Sequence, residues 1–174
     1  MGRIAWFERK FDFSFPVDLY PEMIERLRGT PARLEDRVKN LPPEILTRRD
    51  GEHWSIQENV GHLYDLETLF SGRLDDFDRG AATLRAADLT NRKTHDADHN
   101  AKNIEDILES FRRAREKTVK RIEVRAPEFF VRTALHPRLN KPMRVVDALY
   151  FQAEHDDYHL ARISELIRLF GPSS

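Results

Sequence analysis

Four stretches of this sequence carry apolar residues at helical spacing, and this repeated pattern restricts the chain to a bundle of helices. The first runs from about Val17 to Asn40, and the second begins after Ser55. The third covers Ala101 to about Arg125, and the fourth runs from Met143 to Phe170. Apolar residues recurring every three or four positions are typical of helices that bury one face. We therefore expect a single all-α domain over residues 1–174, with one core of four helices.

Local signals within and between these stretches predict where the helices begin and break. Ser55 and Glu58 have the S-x-x-E spacing of a capping box, which predicts the start of the second helix. Pro31 predicts a kink in the first helix or its division into two segments, because proline lacks an amide hydrogen and crowds the preceding turn. The weak pattern from Gly80 to Asn100 indicates a connection over one end of the bundle. The segment from Phe129 to Pro142 predicts an extended crossing, with a short hairpin as the alternative.

Three histidines border the apolar faces of two helices. His155 and His159 are four residues apart in the fourth helix and share one face, while His62 lies at the edge of the buried stripe of the second. A lone histidine in such a position is more often a hydrogen-bonded boundary residue, so the H-x-x-x-H pair is the stronger signal. Three imidazoles from two helices can hold one divalent ion and leave coordination positions open. Open positions are typical of catalytic rather than structural metal sites.

The other four histidines are not predicted to bind the metal. His95 and His99 repeat the H-x-x-x-H spacing, but their polar surroundings indicate a solvated connection that could at most fold over the site. His53 precedes a helix cap and His136 precedes a proline, so we expect both at the surface or in turns. The sequence contains neither H-E-x-x-H nor a Glu-x-x-His pair, which disfavours a metalloprotease and a di-iron centre. A mononuclear site remains.

Two polar residues lie on the same buried stripes as the candidate ligands. Asp156 falls inside the core stripe of the fourth helix, where a carboxylate needs a partner. It could accept the outer N–H of a ligating imidazole, or it could pair with an arginine or the backbone. Asn59, one turn before His62, allows the same two interpretations.

Composition and charge exclude several functions. A net charge of −1 argues against nucleic-acid binding, and the absence of cysteine excludes thiolate ligands and disulfides. The first sixteen residues lack the apolar core of a signal peptide and no run reaches membrane-spanning length, so we expect a cytoplasmic protein that does not bind membranes. Basic residues of the third helix alternate with glutamates and predict a solvated ion-pair face: Arg112, Arg113, Arg115, Lys117, Lys120 and Arg121.

Three stretches of the sequence resemble the DinB-like superfamily. They are Arg28-Gly29-Thr30-Pro31 with Leu34, Trp54-Ser55-Ile56-Gln57-Glu58-Asn59-Val60-Gly61-His62-Leu63, and Glu154-His155-Asp156-Asp157-Tyr158-His159 with Ile163. The resemblance implies an up-down four-helix bundle of the DinB/YfiT type. It also implies one divalent ion, zinc or nickel, held by His62, His155 and His159, with water or substrate in the open positions. A homodimer is expected from the resemblance alone.

The resemblance also implies enzymes that act on small molecules. Characterised members include transferases and isomerases that activate a low-molecular-weight thiol such as bacillithiol or mycothiol, and other members are regarded as metal-dependent hydrolases. Our first hypothesis is metal-dependent transfer of a thiol to an electrophilic small molecule, and our second is metal-assisted hydrolysis. Both suit one site, because a bound metal lowers the pKa of a thiol and of a water by the same Lewis-acid effect. The third alternative is a bundle that uses the metal only for stability.

Overall fold

The computed structural model describes residues 3–171 and confirms a bundle built on four long helices. Two short helices lie in the connections between them. In chain order the six helices are α1 (Tyr20–Val38), α2 (Pro43–Leu46), α3 (Ile56–Asp78), α4 (Arg92–Asp96), α5 (Ile104–Glu123) and α6 (Val145–Phe170). No helix within residues 3–171 is long and apolar enough to cross a membrane.

The four long helices form a ring in the order α1, α5, α3, α6. Both α1 and α3 pack against α5 and α6, and these four pairings make up the main helix contacts. The first and second long helices along the chain, α1 and α3, therefore lie diagonally across the bundle. The third and fourth, α5 and α6, do the same. Sequence periodicity does not reveal this order, because it identifies a buried face without identifying the helix that covers it.

Pro31 lies inside α1 and does not divide it, so the predicted alternative of two segments was wrong. Because Pro31 has no N–H, the carbonyl of Leu27 one turn earlier lacks its usual helical partner. The guanidinium of Arg115, on the neighbouring α5, donates to that carbonyl at 3.0 Å. A tertiary hydrogen bond thus replaces the missing helical one, and α1 continues through the proline.

The start of α3 follows the predicted capping box. Ser55 Oγ accepts from the backbone N–H of Glu58 at 3.1 Å, and the Glu58 carboxylate accepts from the backbone N–H of Ser55 at 2.9 Å. Both bonds satisfy amides that the first helical turn leaves free. This cap fixes the start of the helix that carries His62.

The segment between α5 and α6 forms the short hairpin that the sequence left as the alternative. Strands β1 (Thr133–His136) and β2 (Lys141–Arg144) pair antiparallel, with Ala134 opposite Met143. The hairpin also binds the connection after α3, since the backbone N–H of Leu84 donates to the carbonyl of Leu135 at 2.9 Å. The connection and the hairpin therefore brace each other.

Arg115 was wrongly predicted to lie on a solvated face of α5. Its side chain is buried between Glu67 and Asp156, with the guanidinium bound to both carboxylates. The other basic residues of that stretch are exposed or half-buried, as expected. Sequence alternation of charges cannot separate the one arginine on the inner face from its neighbours, because its carboxylate partners come from other helices.

Candidate metal centre

His62 of α3 and His155 and His159 of α6 converge between these two adjacent helices. One nitrogen from each ring can be chosen so that all three lie within 4.8 Å of one another. The Nε2 atoms of His155 and His159 are 3.2 Å apart. All three side chains are buried, with 4–8% of their surface exposed. The structure therefore brings together the three histidines that the sequence singled out.

Asn59 fixes which nitrogen of His159 carries the proton. Its amide nitrogen donates to the carbonyls of Trp54 and Ser55, at 3.3 and 2.7 Å, so its Oδ1 is the atom that faces His159. That oxygen lies 2.8 Å from His159 Nδ1 and can only accept. His159 is therefore protonated on Nδ1, and its Nε2 lone pair is free. Asn59 thus combines the two interpretations left open by the sequence, since its amide nitrogen binds the backbone and its oxygen binds the His159 ring.

A longer chain of hydrogen bonds does the same for His62. The single hydroxyl hydrogen of Thr94 is donated to Asp65 at 2.9 Å, so Thr94 must accept from His62 Nδ1, which lies 3.0 Å away. Asp65 also binds His99 Nε2 at 2.8 Å. Burial alone would raise the pKa of Asp65, but the bonds from His99 and Thr94 lower it below its ordinary value. Asp65 thus remains an acceptor, and His62 Nε2 is free.

His99 corrects the expectation that this part of the connection is solvated. Its ring is 2% exposed and lies against the backbone of Gly61, where a β-carbon would collide with it. The glycine immediately before His62 is therefore required by the approach of the connection to α3. His95 is exposed, as predicted, and packs edge-on to Trp54 with ring centroids 5.7 Å apart.

The buried environment keeps the three imidazoles neutral. Burial, with added repulsion from nearby positive charge, lowers the pKa of His62 and of His155 to about 3 each. The pKa of His159 is also well below its ordinary value, for the same reason. Neutral imidazole is the form that donates a lone pair to a metal ion.

These residues fit a divalent metal ion. With His159 protonated on Nδ1, its Nε2 lone pair faces His155 Nε2 at 3.2 Å, and His155 Nδ1 has no hydrogen-bond partner among residues 3–171. An ion bound by the Nε2 atoms would replace the contact between them, which is a hydrogen bond only when His155 carries its hydrogen on Nε2. A set of imidazoles without thiolates suits zinc, nickel, copper or iron.

Asp156 belongs to a different cluster, which was the second of the two interpretations left open by the sequence. Its carboxylate accepts from Arg115 at 2.6 Å, from the Thr30 hydroxyl at 2.7 Å and from Gln152 at 3.2 Å. Within residues 3–171 it forms no hydrogen bond to a histidine ring. Asp156 therefore does not orient the candidate ligands by direct contact.

The histidines open onto a cavity of about 590 Å³ whose wall includes the aromatic residues Trp6, Trp54 and Phe151. Trp6 packs edge-on to His155 with ring centroids 4.8 Å apart, and Trp54 lies 4.7 Å from the His62 ring. Sequence reasoning did not place Trp6 here, because this residue precedes the long helices and no helical pattern includes it. A cavity of this size suits a small molecule with an apolar part.

His136 also lines this cavity and is only 1% exposed, so the prediction of a surface or turn position was wrong. Burial and the charges of two nearby arginines, Arg73 and Arg138, lower its pKa to about 4. The hairpin turns His136 inward, and a proline at the following position gave no indication of this. His53 is exposed at the cavity rim, in agreement with its prediction.

Comparison of the sequence with protein-family models agrees with this architecture, and the matched range contains the site. The model of the DinB superfamily matches residues 26–163, a range that contains all three converging histidines. The chain belongs to the DinB superfamily. No curated protein sequence matches it.

A solved structure shows the same fold as this DinB superfamily member. It is YfiT from Bacillus subtilis, described as a probable metal-dependent hydrolase with an unusual four-helix bundle topology. The two chains superpose with a TM-score of 0.81 over 95% of each chain, at 22% sequence identity. At this identity the likeness shows the shared four-helix bundle. The description as a hydrolase applies to YfiT.

Proposed function

We propose that this protein is a metal-dependent enzyme that hydrolyses a small molecule. The observation that carries the proposal is the convergence of three neutral imidazoles, two of them with Nε2 fixed as a free lone pair, at the wall of a cavity. The superfamily membership and the fold shared with YfiT support it. His62, His155 and His159 are the proposed ligands, and zinc or nickel is the proposed ion.

Each part of the site has a definable role in such chemistry. When bound, a divalent ion held by three imidazoles lowers the pKa of a water or thiol and polarises a substrate oxygen. Asn59 and Thr94 hold two of the rings in the orientation that directs Nε2 to a common point. Trp6 and Trp54 exclude water from the two sides of the histidine group.

Transfer of a low-molecular-weight thiol to an electrophile is the second candidate. The cavity volume of about 590 Å³ favours it, since this space accommodates a thiol and an electrophile of modest size together. The sequence contains no cysteine, so any thiol nucleophile would come from a co-substrate. The same metal site would serve both reactions, and they differ only in the nucleophile.

Elemental analysis of the purified wild-type protein beside His62→Ala and His155→Ala tests the metal site. We expect about one ion per chain in the wild type and its loss in both variants, with circular dichroism confirming that each remains helical. His53→Ala is the matched control, because His53 lies at the rim of the same cavity with its side chain exposed, and it should retain the metal. Equal metal content in all four proteins would refute the proposed ligands.

Activity assays then separate the candidate functions. The metal-loaded wild type is screened with aryl esters and amides in water, and with an aryl halide in the presence of a low-molecular-weight thiol. Hydrolysis that disappears in His155→Ala supports the first candidate, and conjugation without hydrolysis supports the second. If removal of the metal melts the protein and no reaction is found, the metal has a stabilising role.

Association, which the resemblance implies, and location, which the residue pattern predicts, both remain predictions. We propose a cytoplasmic homodimer that binds a small-molecule substrate. Light scattering at micromolar concentration checks the dimer, since a mass of one chain, 20.5 kDa, would contradict it.

A further inference from the structure

Two arginines on the cavity wall, the buried Arg73 and the half-buried Arg138, form no salt bridge with a carboxylate within residues 3–171. Arg73 of α3 is 9% exposed, and its Nε donates to the backbone carbonyl of Arg85 at 3.2 Å. The charge of Asp76 reaches Arg73, but Asp76 is itself paired with Arg79 and Arg85. Within residues 3–171, Arg73 forms no salt bridge of its own. Burial lowers its pKa to about 10.

Arg138, in the turn of the hairpin, is held over aromatic rings in place of a carboxylate. Its guanidinium carbon lies 5.3 Å from the centre of the Phe7 ring and 5.6 Å from that of Phe151. Its Nη2 is buried and has no hydrogen-bond partner among the described residues. Aromatic faces attract a cation, yet they leave its N–H groups without acceptors.

His136 adds a third donor to the same wall. Its Nδ1 accepts from the backbone N–H of Leu139 at 3.2 Å, so the hydrogen of the neutral ring lies on Nε2. That Nε2 is buried and is unpartnered within residues 3–171. Arg73, His136 and Arg138 all line the cavity onto which the candidate metal centre opens.

These three donors are costly to bury without an acceptor, and although Glu52 and Asp88 also line the cavity, neither forms a salt bridge with Arg73 or Arg138. A buried cation without a counter-charge carries an uncompensated desolvation cost, and a buried N–H without an acceptor adds to it. Guanidinium groups match the two oxygens of a carboxylate or phosphate in geometry and charge. Arg115 shows how this protein pairs an arginine that has only a structural role, since Glu67 and Asp156 both bind it.

We propose that Arg73, Arg138 and the Nε2–H of His136 form a binding site for an oxyanion, the carboxylate or phosphate group of a small-molecule ligand. The apolar body of that ligand would lie along Phe151 and Trp6. That the ligand is the substrate rests on the proposed function, whereas the oxyanion site itself does not. The substrate would then be an anion, which the net charge of −1 does not by itself predict.

Binding of three matched probes tests this site. Phenylacetate, phenyl phosphate and the neutral phenylacetamide are titrated into the purified protein by calorimetry. We expect at least one anion to bind tenfold or more tightly than the amide, and the tighter of the two identifies the preferred oxyanion. Arg73→Gln and Arg138→Gln should each weaken that anion tenfold or more. Equal binding of anion and amide would overturn the proposal.

The matched control is Arg162→Gln. Arg162 lines the same cavity but is already paired with Asp50 at 2.8 Å and with Glu165 at 2.9 Å, so its loss should leave anion binding within about twofold of the wild type. Arg73→Lys retains the charge and should bind the anion more tightly than Arg73→Gln, provided that circular dichroism shows both folded. Equal weakening by all three glutamine variants would refute a specific site at Arg73 and Arg138.

His155→Ala distinguishes failure of this proposal from failure of the proposed function. If the variant loses metal but still binds the anion, the oxyanion site is independent of the metal, as proposed. If anion binding disappears in His155→Ala and persists in Arg73→Gln and Arg138→Gln, the anion binds the metal and the oxyanion site is refuted. If the wild type holds no metal yet the arginine variants lose the anion, the site stands and the metal-dependent function fails.

Discussion

Two buried polar clusters lie side by side in this bundle, and they differ in how fully their hydrogen-bonding groups are satisfied. In the first, Arg115 uses all five of its N–H groups, two toward Glu67, two toward Asp156 and one toward the carbonyl of Leu27. We call this group the arginine cluster. It requires nothing from outside the protein, which indicates a structural role.

The second group, which we call the histidine cluster, consists of His62, His155 and His159. Two of the rings donate from their outer nitrogens, His62 to Thr94 and His159 to Asn59, which leaves the Nε2 of each as a lone pair, and His155 Nδ1 has no hydrogen-bond partner within residues 3–171. Asp156 of one cluster and His155 of the other are adjacent in α6. The difference shows that burial of polar groups does not by itself indicate function, whereas unsatisfied groups facing a cavity do.

The largest expected effect is on the arginine cluster. Arg115→Met leaves two buried carboxylates and the Leu27 carbonyl without their donor, and removal of one partner of a buried ion network costs about 3–5 kcal/mol. Urea unfolding should show a loss of this size. Arg113→Met, which removes an exposed arginine two positions earlier that pairs with Glu109, should change the free energy of unfolding by less than about 1 kcal/mol. Similar losses in both variants would mean that the arginine cluster contributes nothing specific.

A smaller effect is expected from the residues that orient the histidine cluster. Asn59→Ala and Thr94→Val each remove a hydrogen bond to the outer nitrogen of a ligand, which costs about 10–100-fold in metal affinity in comparable sites. Competition with a chromophoric chelator measures that affinity. Thr68→Val, an exposed threonine on the same helix as His62, should leave it unchanged. Unchanged affinity in both test variants would refute orientation of the ligands by these bonds.

Parts of the histidine cluster follow from local sequence and parts do not. His155 and His159 share a face because helical geometry brings together residues four apart, and Ser55 with Glu58 marks the start of α3 by a local hydrogen-bond pattern. Thr94 and His99 reach the site through a connection whose path depends on contacts with Asp65 and on the space above Gly61. Such long-range contacts leave no periodic signal in the sequence.

The same distinction explains the errors of the sequence interpretation. His136 was assigned to the surface or a turn because it precedes a proline, and Arg115 was assigned to a solvated face because its neighbours are charged, yet partners distant in the chain bury both. Pro31 was expected to kink α1 or to divide it, and the helix continues because Arg115 supplies a hydrogen bond from α5. Local patterns thus predict the helices and the shared face of His155 and His159, whereas tertiary contacts determine which of the remaining polar residues face inward.

The smallest expected effect is a pH dependence that belongs to the cavity and not to the arginine cluster. The pKa of His136 is about 4 in the folded protein, below its ordinary value of 6.5, because burial and two nearby arginines disfavour its charged form. Between these values the unfolded chain binds more protons, so the stability that neutral His136 contributes is present above pH 6.5 and is lost as the pH falls toward 4. Between pH 7 and pH 6 this loss amounts to roughly 0.7 kcal/mol for one such group. His136→Gln should reduce the pH dependence of the free energy of unfolding by that amount, measured by urea unfolding at both pH values. His53→Gln, an exposed histidine, is the control, and an equal reduction in both variants would show that the buried environment of His136 is not the cause.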